Sequence, residues 1–233
     1  MNYRPQPRSR VSAFTLIELL TVITIIAILM GLLFPAIGIA KDQARKAEAR
    51  SAVMGITTAV KAYYTEYGKY PLGLAVTNFP NQDVVFGQTP TVTPKIGPPA
   101  GSNQLLFDIL RNTGATGPTY NPRAIIFFDG KTASDPNNPK SGFVPSTAAG
   151  GAGKTPGAFM DPWGNEYFIA IDGNYNNQIE NLDYTDFQTT NAPMTGVCVY
   201  SLGKDGQLGS TKPNTGSAYR MGSNVSDDIV SWQ

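Results

Sequence analysis

The sequence predicts an α+β protein in which a long N-terminal helix packs on a small C-terminal antiparallel sheet with long loops. Residues 14–67 keep a helical pattern throughout, first apolar on all sides and then amphipathic. Residues 166–171 and 197–201 are short apolar segments typical of strands. The chain also holds 24 glycines and 18 prolines, which favour irregular segments between these elements.

The amino-acid composition argues against several classes of function. The 18 basic and 17 acidic side chains leave a net charge of +1, which gives no electrostatic reason to expect a nucleic-acid partner. The absence of histidine removes the commonest acid–base group and a preferred metal ligand. The single cysteine, Cys198, cannot close a disulfide within the chain. We therefore expect no enzymatic activity, and we expect Cys198 to be buried in a strand.

Residues 14–40 predict a helix that spans a membrane. Glu18 is their only charged residue, and roughly 20 apolar residues are enough to cross a bilayer. Arg4, Arg8 and Arg10 precede this stretch, so the positive-inside rule places the N-terminus in the cytoplasm and the residues beyond about 41 outside. The alternative is a secretory signal cleaved after the small residues at 38–40.

Two residues of this stretch are not needed in a helix that only anchors a protein in a membrane. A carboxylate such as Glu18 costs about 2.5–3.5 kcal/mol inside a membrane unless it finds a partner. Pro35 removes one helical hydrogen bond, so we expect a kink or local melting there. Both residues are therefore predicted to serve a function.

Residues 12–20, SAFTLIELL, follow a short basic leader and precede Pro35. This arrangement resembles the N-terminal signature of type IV pilins and of the pseudopilins of type II secretion systems. The resemblance implies a pilin-like fold, removal of the leader at 1–13 by a prepilin peptidase that cuts between Ala13 and Phe14, and methylation of the new amino group of Phe14. It also implies that Glu18 pairs with the terminal amine of a neighbouring subunit. Ala13 stands where the family usually has glycine, so slower processing is expected.

After residue 40 the helical pattern becomes amphipathic and continues to Tyr67. Gly68 and then Pro71 are typical stop signals. Small residues at Ala40, Ala44 and Ala47 suit two roles, close helix packing in a filament core and cover for the sheet of the same subunit. We expect both.

Residues 68–233 form the predicted exported domain, with a loop-rich insertion at about 75–158 whose role is unassigned. Within it we expect loops at 76–101 and 129–157, a helix at 102–112 with Ser102 as its N-cap and Gly114 after its end, and a buried strand at 124–128.

One loop of this insertion, GGAGKT at 150–155, is similar to a phosphate-binding loop. It has Ala148 in place of the first glycine and Pro156 directly after it, which favours a plain surface loop. A membrane-anchored nucleotide-binding protein is therefore the less favoured alternative.

The segments DPWGN at 161–165, YSLGKDG at 200–206 and DDIVSW at 227–232 resemble the major pseudopilins most closely. That resemblance implies a calcium-binding loop with Asp205, Asp227 and Asp228 as carboxylate ligands and a carbonyl oxygen such as that of Leu202. Three carboxylates in a polar loop suit a cation that takes six to eight oxygen ligands. The alternative is a turn at Asp205 and a helix cap at Asp227.

A second candidate calcium loop begins at Asp172. Asp172, Asn174, Asn176 and Asp183 occupy positions one, three, five and twelve of an EF-hand-like spacing. Position six is Asn177 instead of glycine, and asparagine tolerates the left-handed conformation that this position needs. The alternative is a hairpin turn rich in asparagine.

The resemblance therefore implies a structural subunit of a pseudopilus that drives protein secretion across the outer membrane. Its expected partners are further copies of itself, minor pseudopilins, an inner-membrane assembly platform and prepilin peptidase, and calcium is its expected cofactor. It would sit in the bacterial inner membrane with a periplasmic domain until assembly. The alternative is a type IV pilus subunit for adhesion, motility or DNA uptake. Such pilins commonly close a C-terminal loop with a disulfide, which one cysteine cannot form.

Overall fold

A computed structural model of the chain describes residues 15–78, 81–87, 99–146, 154–179, 193–207 and 228–232. The chain divides into two compact units, Met1–Ala44 and Arg45–Gln233. In chain order the elements are α1 Leu16–Tyr67, α2 Ala75–Asn78, β1 Val84–Phe86, β2 Pro99–Gly101, α3 Gln104–Arg111, α4 Gly117–Tyr120, β3 Gly142–Phe143, β4 Phe159–Met160, β5 Phe168–Ile171, β6 Val197–Ser201 and β7 Ile229–Val230. This is the predicted α+β architecture, with a long N-terminal helix and a small sheet, and it matches a pilin-like fold.

The described part of the first unit is helical from Leu16 onwards. Every side chain of residues 16–41 is exposed, and α1 is long and apolar enough to cross a membrane by length and composition. The helix runs through Pro35 without interruption, so the expected local melting is wrong. A proline removes only its own N–H from the hydrogen-bond ladder, and the bonds on either side can persist.

In the second unit α1 ends where the glycine signal predicts. Gly68 adopts a left-handed φ of 66°, and its N–H donates to the carbonyl oxygen of Tyr64 at 2.8 Å. The helix buries a stripe against the sheet, and Ala49 and Ala59 belong to this stripe while Ala47 is exposed. The buried side chains are Ala49, Val53, Ile56, Ala59, Val60 and Tyr63.

The main sheet has five strands in the order β2-β1-β5-β6-β7. All neighbouring pairs are antiparallel except β1 with β2. The predicted strand at 197–201 is confirmed as β6, which holds Cys198 fully buried, and the one at 166–171 begins later, at Phe168. Strand β5 is buried on both faces, because the apolar cluster that contains α1 covers one face and residues such as Ile179 and Leu202 pack on the other.

Two of the loops expected within residues 75–158 contain short strands in the described part of the chain. Strand β1 lies inside the sheet, between β2 and β5, although residues 76–101 were expected to be a loop. Strand β3 likewise interrupts the loop expected at 129–157. The signal for β1 was present in the apolar run VVF, but three residues are too few for alternation to be read. Pairing with β5 decides its conformation.

The helix expected at 102–112 forms as α3, with different ends. Asn103 occupies the N-cap position and makes no side-chain cap bond, whereas the Ser102 hydroxyl accepts the N–H of Gln104 at 3.3 Å. The helix ends at Asn112, which takes the left-handed conformation with φ 55°, before Gly114 is reached.

The strand expected at 124–128 does not form. The Asn121 side chain accepts the Ile125 N–H at 3.2 Å and donates to the Ile125 carbonyl at 2.6 Å. The N–H groups of Phe127 and Phe128 both donate to the carbonyl of Leu110, at 2.8 and 3.4 Å. These partners take the backbone groups that a neighbouring strand would need, so the segment is irregular while Phe128 remains buried.

Candidate functional site

The first candidate site lies at the start of α1, where Thr15 and Glu18 bind each other. The Glu18 Oε2 atom accepts the backbone N–H of Thr15 at 2.9 Å and its hydroxyl at 2.7 Å. The Glu18 N–H donates back to the Thr15 hydroxyl oxygen at 3.3 Å. This is a capping box, in which an N-cap threonine and the glutamate three residues later satisfy each other's donors. The spacing Thr15-x-x-Glu18 before an apolar run is its sequence signal, and the sequence analysis missed it.

The capping box gives the Glu18 carboxylate hydrogen-bond partners within a single chain. A carboxylate in this position needs a partner, and the resemblance to pilins implies that the partner belongs to another subunit. In the structure Thr15 already supplies two hydrogen bonds, and the glutamate lies in the first turn, where the helix dipole favours negative charge. Pro35 lies inside the same helix. The predicted cleavage residues Ala13 and Phe14 lie outside the described residues.

A second polar centre is built around Asp161 of the DPWGN segment. The Asp161 side chain is fully buried, and its Oδ1 atom accepts the N–H groups of Trp163, Gly164 and Asn165 at 2.9, 2.7 and 2.8 Å. Its Oδ2 atom accepts the Ser201 hydroxyl at 2.7 Å. Burial raises the pKa of Asp161, and these hydrogen bonds oppose that rise. The carboxylate therefore ties the turn after β4 to the end of β6.

The same network continues into the turn that follows β6. The Ser201 hydroxyl oxygen accepts the Gly203 N–H at 3.2 Å, and the Asn165 side chain donates to the Gly203 carbonyl at 3.3 Å. The DPWGN and YSLGKDG segments are thus one structural unit. Sequence reasoning identified both segments by resemblance and missed that Asp161 and Ser201 join them.

The structure brings together two of the four ligands expected for the C-terminal calcium loop. In the β6–β7 pairing Ser201 lies opposite Ile229, so the next residues along, Leu202 and Asp228, face each other. Both are buried, whereas Asp205 is exposed in the following turn, where its Oδ1 atom accepts the Gln207 N–H at 2.9 Å. Asp227 lies outside the described residues.

The second expected calcium loop follows β5 directly. Asp172 is buried, and its Oδ2 atom accepts the Asn177 N–H at 2.7 Å. The side-chain oxygens of Asn174 and Asn176 accept the N–H groups of Asn176 and Gln178 at 2.9 and 2.8 Å. Asn177 adopts the left-handed conformation expected at position six, with φ 60°. Asp183 lies outside the described residues.

Two further observations concern the possible binding of a metal ion and of a phosphate group. Among the described residues, no group of three or more histidine, cysteine, aspartate or glutamate side chains is placed to hold a metal ion. Calcium also readily accepts amide and backbone carbonyl oxygens as ligands. Lys154, the basic residue of the glycine-rich loop, donates to the Gly164 carbonyl at 2.6 Å, and the preceding residues 147–153 lie outside the described part of the chain.

Comparison with known proteins identifies one family model. Residues 8–34 match the prokaryotic N-terminal methylation motif. No curated protein and no solved structure is detectably similar to the chain. The motif covers the start of the apolar helix together with the Thr15–Glu18 capping box, and it indicates a type IV pilin-like, membrane-anchored substrate of prepilin peptidase.

Proposed function

We propose that the chain is a filament subunit of the pilin-like class, and that its filament is the pseudopilus of a type II secretion system. The observation that carries the proposal is the position of Glu18. It is the only charged residue among residues 16–40, which are apolar and exposed, and it lies within the methylation motif. In the proposed cycle prepilin peptidase cuts between Ala13 and Phe14, and the methylated amine of Phe14 becomes the partner of Glu18 on a neighbouring subunit.

The capping box gives this exchange a physical basis. In the single chain the Glu18 carboxylate accepts two hydrogen bonds from Thr15. Before assembly, therefore, this carboxylate is not left without hydrogen-bond partners in the inner membrane. The hydrogen bonds from Thr15 leave the negative charge of Glu18 uncompensated, whereas in a filament the positive amine of the next subunit would pair with that charge, and a paired charge is less costly in a membrane than an unpaired one. The exchange therefore favours assembly and adds no exposed charge.

Three further features complete the proposal. The basic residues Arg4, Arg8 and Arg10 keep the N-terminus cytoplasmic, which places the second unit in the periplasm. A calcium ion held by Asp205, Asp227, Asp228 and the Leu202 carbonyl would fix the C-terminal loop beside the β6–β7 end. Minor pseudopilins and the inner-membrane assembly platform are the proposed partners besides further copies of the chain.

The processing step is tested by the mass of the mature chain from a host that expresses prepilin peptidase. We expect a chain that begins at Phe14 and carries one added methyl group. A chain that retains residues 1–13 in such a host would contradict the proposal.

The assembly step is tested by Glu18→Ala, with Leu19→Ala as the matched control on the same exposed helix. We expect Glu18→Ala to remain in the membrane and to lose most of its filament yield, whereas Leu19→Ala keeps it. Equal yields from the two variants would remove the assembly role of Glu18.

Deletion of the gene in its own host distinguishes the two filament types. Loss of exported enzyme activity from the medium with unchanged surface motility supports the pseudopilus. The reverse result would identify a type IV pilus subunit.

A further inference from the structure

The loop after β5 contains a buried carboxylate oxygen without a protein partner. The Asp172 side chain is only 1% exposed. Its Oδ2 atom binds the Asn177 N–H across the loop, whereas its Oδ1 atom accepts no hydrogen bond from any residue of the described chain. A buried acceptor that is left unsatisfied costs free energy, so this atom favours a ligand that the described residues do not provide.

A second buried carboxylate adds negative charge beside it. Strand β1 pairs with β5 so that Val84 lies opposite Ile171, and the next residues outward, Asp83 and Asp172, face each other across the two strands. Asp83 is 7% exposed, and its Oδ1 atom accepts the Gly173 N–H at 3.3 Å. A cation bound at this point would be attracted by both carboxylates.

The loop also presents neutral oxygens at regular intervals. The amide oxygens of Asn174 and Asn176 each accept one backbone N–H. An amide oxygen has two lone pairs, so accepting one N–H does not by itself prevent it from binding a cation. Tyr175 and Asn177 both adopt left-handed φ angles, 61° and 60°, which bend the chain sharply at alternate residues. The bends follow the residues at positions three and five of the loop, where a calcium-binding loop carries its ligands.

We propose that this loop is a calcium-binding site, with Asp172 as the charged ligand and the amide oxygens of Asn174 and Asn176 as neutral ligands. All three provide oxygen, which suits calcium and magnesium better than zinc. Calcium tolerates the irregular geometry of such a loop and completes its six to eight ligands with water, whereas magnesium demands a near-ideal octahedron. The site does not depend on the proposed filament function, and it is distinct from the C-terminal candidate loop at Asp205.

The test is calcium titration by calorimetry on the full mature chain in detergent micelles. Asp172→Asn removes the charge while the new amide can still accept the Asn177 N–H. We expect it to weaken calcium binding at least about tenfold, because even the loss of a group that only supports a metal ligand costs about 10–100-fold in metal affinity. Asp205→Asn removes one carboxylate from the C-terminal candidate loop and identifies any binding event that belongs there. Asp129→Asn is the matched control, because Asp129 is exposed and lies in neither candidate loop, and we expect it to leave calcium binding unchanged.

A second variant distinguishes the loss of a calcium ligand from misfolding caused by a substitution at a buried residue. Asn176 is exposed, so Asn176→Ala should fold normally and should also weaken calcium binding. The proposal is overturned if the wild-type chain shows no saturable calcium binding, if Asp172→Asn and Asn176→Ala bind calcium as tightly as wild type, or if only Asp205→Asn abolishes binding. Magnesium bound as tightly as calcium would overturn the assignment of the ion.

Discussion

Replacement of Phe107 by alanine tests whether the middle of the chain is core or surface insertion. Phe107 lies in α3, its side chain is fully buried, and its ring centroid lies 5.1 Å from that of Phe128 and 5.3 Å from those of Phe143 and Phe159. Three of these four rings come from the segment that the sequence suggested was an enlargement of the surface. In the structure Phe107 is therefore a central residue of the fold.

The expected cost follows from this packing. Truncation of a fully buried phenylalanine to alanine removes its transfer free energy and leaves a cavity, which together cost about 3–5 kcal/mol. For a domain of this size, each kcal/mol lowers the melting temperature by about 2–4 °C, so a fall of roughly 6–20 °C is expected. The assay is urea and thermal unfolding of a fragment that begins at Arg45, the first residue of the second compact unit.

The matched control is Ile126→Ala in the same region. Ile126 is 66% exposed, so its truncation should change the free energy of unfolding by no more than about 0.5 kcal/mol. If Phe107→Ala costs less than about 1 kcal/mol, or no more than the control, the middle segment is not part of the core and the aromatic cluster does not stabilise the fold.

The remaining predictions concern buried polar groups. Asp161→Ala deprives four donors of their acceptor and should cost about 3 kcal/mol or more in urea unfolding, whereas Ser201→Ala should cost about 1 kcal/mol; equal costs would contradict the central role of Asp161. Burial raises the pKa of Asp108 above its ordinary value of 3.8, so the folded state holds this proton more tightly and stability falls as pH rises from 3.8 through the raised pKa. Asp108→Asn should flatten that part of the stability–pH curve, and an unchanged slope would refute the assignment. Burial also raises the pKa of the Cys198 thiol, so a thiol reagent should label the chain only after unfolding; rapid labelling of the native protein would show that β6 is accessible.

Several elements could be predicted from the sequence because their signals are local. The long helix was predicted by composition over many residues, and its end by Gly68, whose left-handed φ only a few residue types adopt readily. Strand β6 was predicted to the residue, because its apolar run is flanked by turn signals. The left-handed Asn177 was anticipated for the same kind of reason.

The elements that could not be predicted depend on distant partners. Strand β1 is three residues long and acquires its conformation by pairing with β5, far along the chain. The segment 124–128 has a strand-like composition, yet Asn121 and Leu110 take its backbone hydrogen bonds. The strand propensity of a short segment does not reflect either effect, because both depend on which backbone groups remain unpaired after the chain has packed.

The candidate sites likewise include some features that the local sequence predicts and others that depend on the folded structure. The sequence by itself determined the membrane-spanning helix, the methylation motif and the position of Glu18, because hydrophobicity and short motifs are properties of neighbouring residues. Tertiary structure decided that Asp161 joins the turns after β4 and β6, and that Asp83 and Asp172 face each other across two strands. Cross-strand register and burial bring such residues together, and neither quantity is encoded in the spacing of residues along the chain.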